Sequence, residues 1–166
     1  MKQVVTRSCV VLTAAWLLSW SVYLWAGPNE TISFPVEYRK WAHVKSALVG
    51  PPSPAAATEA GIHHVYANEK AMEGYNTGKF PDGSIIVYDL LETKETGGVT
   101  TEGAQRRVDV MVKDGQRYQQ TGGWGFARFW GTNRSEGALA ADRQAECFGC
   151  HSKRKDHDAV FSDFRK

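Results

Sequence analysis

The sequence predicts an α+β domain in which an antiparallel β-sheet carries flanking helices, the C-terminal one bearing a Cys-x-x-Cys-His motif. Three observations carry this expectation. The central part of the chain alternates apolar and polar residues at the period of half-buried strands, between Asp-Gly turns. The segments on either side show helical spacing and capping residues. Hydrophobic and charged fractions of 42% and 23% are ordinary for a globular core, and 166 residues allow one domain and little more.

Lys2 and Arg7 precede an apolar run over 9–26 that Gly27 and Pro28 end, the layout of an export signal. The run is long for a signal and just long enough to span a bilayer. Leu24 spoils the small-x-small pattern before the Ala26–Gly27 junction. Residues 1–26 are therefore read as a cleaved signal peptide or a retained N-terminal membrane anchor, and 27–166 as an exported, periplasmic domain. Cys9 lies inside this segment and drops out of the cysteine count; most of the apolar run follows it, which argues against lipid attachment there. The net charge is +2, which Lys2 and Arg7 account for, so the remainder is neutral. A neutral body has no basic face for nucleic acid.

A first helix is expected over 34–48, with Ser33 as cap, Pro35 in the first turn, and Phe34, Tyr38, Trp41, Val44 and Leu48 at helical spacing. The Gly50-Pro51-Pro52-Ser53-Pro54 run ends it. A strand over 62–67 follows, then a short helix capped by Asn68 and stopped by Gly78. After the Pro81-Asp82-Gly83 turn, a strand over 84–92 puts Ile86, Tyr88 and Leu90 on one face and Ile85, Val87 and Asp89 on the other. A polar loop is expected over 93–103. The next strand sets Arg107, Asp109 and Met111 against Val108, Val110 and Val112, and Lys113-Asp114-Gly115 turns the chain. A last strand over 122–130 shares one face among Trp124, Phe126, Arg128 and Trp130, and a helix from Ser135 runs into Cys147.

Cys147, Cys150 and His151 fit the pattern of c-type haem attachment, Cys-x-x-Cys-His. Residues three apart share a helical face, so both thiols can meet the vinyl groups on one edge of a porphyrin. The next residue then offers its imidazole to the iron. Structural zinc would want a second ligand pair, which His43, His63, His64 and His157 do not supply. A thioredoxin-like motif would follow a strand in a βαβ unit. A plain disulfide suits an exported protein but leaves His151 unexplained.

Several stretches then carry a resemblance when taken in order. They are Phe34-Pro35-x-x-Tyr38-Arg39-x-Trp41, the run 80–87, Val112-Lys113-Asp114, Gly123-Trp124-Gly125-Phe126, the 147–151 motif, and Asp158-x-Val160-Phe161-Ser162. The chain resembles the cytochrome P-460 and cytochrome c′-beta family. That resemblance implies a β-rich homodimer with one covalent haem c, held by Cys147 and Cys150 and ligated by His151, whose sixth position is open or capped by an apolar group. It also implies one of two activities. One class oxidises hydroxylamine with a haem cross-linked to a strand lysine; the other lacks the cross-link and binds a diatomic gas such as nitric oxide.

The deciding position precedes Asp89-Leu90 and holds Tyr88, not lysine; Lys94 falls in the following segment. A cross-link is not expected. Tyr88 can cap the distal face and offer its hydroxyl to an iron-bound ligand, or simply pack in the sheet. Asp109 falls near a carboxylate of the hydroxylamine-oxidising class and is the candidate catalytic proton acceptor, although alternation with valines also suits a solvent-facing carboxylate. Arg128 can pair with a haem propionate or stack on Trp124 or Trp130. His63 and His64 point oppositely on a strand, and neither is expected at the iron. Simple electron transfer, with Met72 or Met111 as second axial ligand, is a further possibility. The basic run 152–155 could meet an anionic redox protein or merely be a solvated face. The expectation is thus a gas-binding and/or electron-transferring cytochrome, with a hydroxylamine-oxidising enzyme as the alternative.

Overall fold

Alternating side chains in the middle of the chain pair as five antiparallel strands in sequence order, β1-β2-β3-β4-β5. The computed structural model describes residues 31–135, 137 and 139–165; the segment 1–26 lies outside them. The strands are β1 Ala42–Val49, β2 Gly61–Ala67, β3 Ile85–Thr96, β4 Val99–Lys113 and β5 Trp124–Trp130. The helices are α1 Ala56–Glu59, α2 Glu69–Thr77 and α3 Ala141–His151. The expected α+β class, with an antiparallel sheet and a C-terminal helix, is what the chain forms.

Each face of the sheet builds a core. Val65, Ala67, Ile86, Met111, Trp124 and Phe126 line the first face, where Ala71 of α2, Phe80, Val160 and half-buried Cys147 and Phe148 of α3 pack on them. Val87, Val108, Val110, Ala127 and Phe129 line the second, beneath Ile32, Phe34, Tyr38 and Trp41. The faces alternate because strand side chains do.

The helix expected over 34–48 does not form. A 3-10 turn, Tyr38–Lys40, leads directly into β1. The residues that read as one helical stripe serve different surfaces: Phe34 and Tyr38 pack on the second face, Val44 on the first, and Leu48 is 59% exposed. Pairing with β2 overrides local propensity here. The loop expected over 93–103 is instead a hairpin ribbon, Thr93 opposite Glu102 and Thr96 opposite Val99. Gly97 and Gly98 close it with φ of 59° and 78°, the positive values that a two-residue turn matched to strand twist requires. Residues 92–102 are all exposed, so no apolar alternation marks them. The final helix begins at Ala141 rather than Ser135.

The short helix α2 follows its signals. Asn68 Oδ1 accepts from Ala71 N at 2.9 Å and from Ile85 N at 3.0 Å, tying the helix start to β3. Gly78 ends it in left-handed backbone, φ 81°.

Candidate haem site

Besides its packing contacts, helix α3 hydrogen-bonds to the sheet through Gln144. Gln144 Oε1 accepts from Phe126 N at 2.8 Å and its Nε2 donates to Phe126 O at 2.7 Å. Gln144, Cys147, Phe148 and His151 recur at helical spacing and form the half-buried side of α3, whereas Cys150 is exposed. Cys147 and Cys150 are free thiols one turn apart. Burial raises the Cys147 thiol above its usual pKa.

His151 ends the helix. Its Nδ1 lies 2.8 Å from Ala159 O, and a carbonyl only accepts, so Nδ1 carries the proton and Nε2 presents a lone pair. The ring contacts Phe126 and Phe161, at centroid distances of 5.2 and 5.1 Å. Burial lowers its pKa, although the Ala159 carbonyl opposes the shift, so the neutral form is favoured. A neutral imidazole with its second nitrogen anchored is the form that ligates metal. Two unpaired thiols one turn apart beside such an imidazole are a donor set that fits haem.

The strand register groups the other residues named from sequence. Tyr88 stands opposite Asp109, and Asp109 opposite Arg128, in one row across the first face. The neighbouring row towards His151 holds Ile86, Met111 and Phe126; the row on the other side holds His63, Leu90, Arg107 and Trp130. The structure therefore brings Tyr88, Asp109 and Arg128 together on the face that receives α3.

Tyr88 donates its hydroxyl to Glu59 Oε2 at 2.7 Å. His63 stacks on its ring at 4.5 Å, and the Arg107 guanidinium lies 5.7 Å from the ring centroid. Burial, reinforced by the Glu59 carboxylate, pushes the Tyr88 phenol well above its ordinary pKa. Arg107, its side chain 4% exposed, donates from Nη2 to both Glu59 oxygens at 2.6 Å and from Nε to Asp109 at 2.9 Å. Burial works against ionising Glu59, but hydrogen bonds from Arg107 and Tyr88 outweigh it and hold the carboxyl below its usual value. Arg128 donates to Asp109 Oδ1 at 2.5 Å and Oδ2 at 2.9 Å, with its guanidinium 5.4 Å from the Trp130 ring. Trp124, the other stacking partner considered from sequence, is covered by Lys113 at 4.9 Å.

Several residues lie away from this cluster or serve packing. His64 is on the opposite face, bonded to Ser46 and to Glu102, each at 2.7 Å. His63 and His64 do point oppositely, and it is His63 that faces the row of Tyr88. Met111 is buried and Met72 half-buried in the first core. Lys94 sits on the exposed ribbon opposite Thr101. In the basic run, Lys153 and Lys155 are exposed and Arg154 lies 3.5 Å from Asp156. Sequence reasoning missed Glu59, which follows an Ala-rich stretch with no motif, and Gln144, whose role appears only once α3 docks.

The comparison with curated proteins gives no match. The family profile of Cytochrome P460 matches residues 35–162, from before β1 to beyond α3. With that span of the chain matched, the protein belongs to the Cytochrome P460 family, whose cofactor is haem.

Proposed function

We infer that this protein holds one haem covalently through Cys147 and Cys150, with His151 as axial ligand, and that it binds a diatomic gas of the nitric oxide kind and/or passes electrons. When bound, the haem supplies an iron centre that takes up a small ligand and changes oxidation state. The chain's own residues present the thiols on one helical turn and hold the imidazole by Nδ1. They also pack the Phe126 and Phe161 rings against it.

The observation that carries the gas-binding choice is Tyr88. It occupies the position where the resemblance expects a cross-linking lysine, and its hydroxyl proton is directed to Glu59. A phenol committed in this way offers a ring and oxygen lone pairs to its surroundings rather than a donated proton. The alternative, hydroxylamine oxidation, needs a proton acceptor, and both oxygens of its candidate, Asp109, already accept from Arg107 or Arg128. Export to the periplasm, with residues 1–26 cleaved or kept as an anchor, and assembly as a homodimer belong to the same proposal and rest on the sequence.

Mass spectrometry and visible spectra of the mature protein test it. The expected result is one added haem mass, an ordinary high-spin c-type ferrous spectrum, and uptake of nitric oxide without hydroxylamine turnover. A strongly red-shifted ferrous Soret band with hydroxylamine oxidation would establish the alternative, and a low-spin spectrum would favour simple electron transfer.

A further inference from the structure

Two successive non-glycine residues, Asp158 and Ala159, adopt left-handed backbone, with φ of 47° and 64°. Asp tolerates this region, but the Cβ of Ala crowds a carbonyl there. Such a conformation persists only where the surroundings over-determine it. Here the surroundings come from three separate parts of the fold. Lys113 at the end of β4 donates to Asp158 Oδ1 at 2.8 Å and Oδ2 at 3.0 Å. Phe80 N donates to Asp158 Oδ2 at 3.0 Å, and Trp124 Nε1 on β5 donates to Asp158 O at 2.8 Å. Ala159 N closes back on Arg154 O at 2.8 Å, and Ala159 is 6% exposed against the first core.

The product of this arrangement is a single outward contact, the Ala159 carbonyl on His151 Nδ1. A hydrogen bond accepted from one imidazole nitrogen raises the basicity of the other, and with it the electron density given to a bound iron. Among the described hydrogen bonds, Lys113 and Asp158 make none to His151; they act through the turn. The ion pair is also sheltered, with side-chain exposures of 12% for Lys113 and 25% for Asp158.

We propose that Asp158 is a positioning residue for His151: its ion pair with Lys113 locks the left-handed turn that delivers the Ala159 carbonyl to the imidazole, and so sets the donor strength of the axial ligand. This rests on His151 being the iron ligand. The test uses haem-loaded Asp158→Asn and Lys113→Met proteins, followed by resonance Raman spectroscopy of the ferrous form and by potentiometry. The iron–histidine stretching band should move to lower frequency and the midpoint potential should rise in both, at unchanged haem content. Lys113→Arg, which keeps the cation, should restore most of both signals. If Asp158→Asn does not fold, Lys113→Met carries the test, because it leaves the bond from Phe80 N to the carboxylate in place. An unmoved band and potential in variants that hold haem overturn the positioning role alone. A band that survives His151→Ala overturns the axial assignment and this proposal with it.

Discussion

Gln144 holds Phe126 by both of its main-chain polar groups, at 2.8 and 2.7 Å, in the manner of a neighbouring strand. Phe126 is 5% exposed, so neither group has ready access to water if the amide is removed. Two buried groups left unsatisfied cost about 1–3 kcal/mol each, less what relaxation and water recover. Gln144→Ala is expected to destabilise the domain by about 2 kcal/mol in denaturant unfolding and to speed hydrogen exchange at the Phe126 amide selectively. Unchanged exchange there would show that α3 is anchored by other contacts.

Glu59 links Tyr88 to Arg107. Glu59→Gln keeps the shape but removes the charge that faces a guanidinium 4% exposed, while Arg107 retains Asp109 and the Thr58 carbonyl. A loss of about 2 kcal/mol is expected, in the range of a charge-assisted hydrogen bond. The folded carboxyl lies below its ordinary value of 4.5. Its contribution is therefore present above that pH and fades as pH falls through the folded value. Unfolding measured from neutral to acid pH should show a shallower acid-side decline in the variant.

Asp89 is the buried carboxylate of the opposite face, 1% exposed. Tyr38 donates to it at 2.7 Å, Arg39 at 2.7 and 3.0 Å, and Gln105 at 2.6 Å. Asp89→Ala leaves four donor groups on three side chains without their acceptor and should cost about 3 kcal/mol. Because the sheet separates Asp89 from the row of Tyr88 and Asp109, the haem spectrum of the folded variant should match that of the unaltered protein. A changed spectrum would mean that the two faces are coupled.

Tyr38 and Tyr75 are both pushed up to about 12, Tyr38 by burial and the Asp89 carboxylate and Tyr75 mainly by burial. The folded state holds these protons where the unfolded chain, near 10, begins to release them. Their contribution is complete below pH 10 and is lost as pH rises towards 12. Ultraviolet titration of the phenolates should show these tyrosines ionising together with loss of structure, not before it.

Strand alternation in β3, β4 and β5 was legible because each strand has two buried faces of different composition, and the rows of the sheet follow from it. Asn68 and Gly78 were legible because capping is chemistry local to a few residues. The stretch 34–48 was not, since its apolar residues divide between two faces and a helical period emerges by coincidence. The ribbon around Gly97-Gly98 was hidden for the opposite reason: both its sides meet solvent. Within the candidate site, the thiols and His151 declared themselves by spacing. Ala159 could not, because it acts through a carbonyl that every residue possesses.

The outer margin of β5 is occupied along its length. Trp124 O accepts from the Thr121 hydroxyl at 2.6 Å, Phe126 is taken by Gln144, and Arg128 N donates to Gly137 O at 3.2 Å. At the other margin, β1 breaks register between His43 and Lys45 and carries that lysine exposed. Bulges, charges and covering groups all remove the free donors and acceptors on which an additional strand would template. The sheet is thus poorly suited to lengthening: groups of the chain itself fill much of the β5 margin, and the bulge and exposed lysine of β1 disfavour a further strand there.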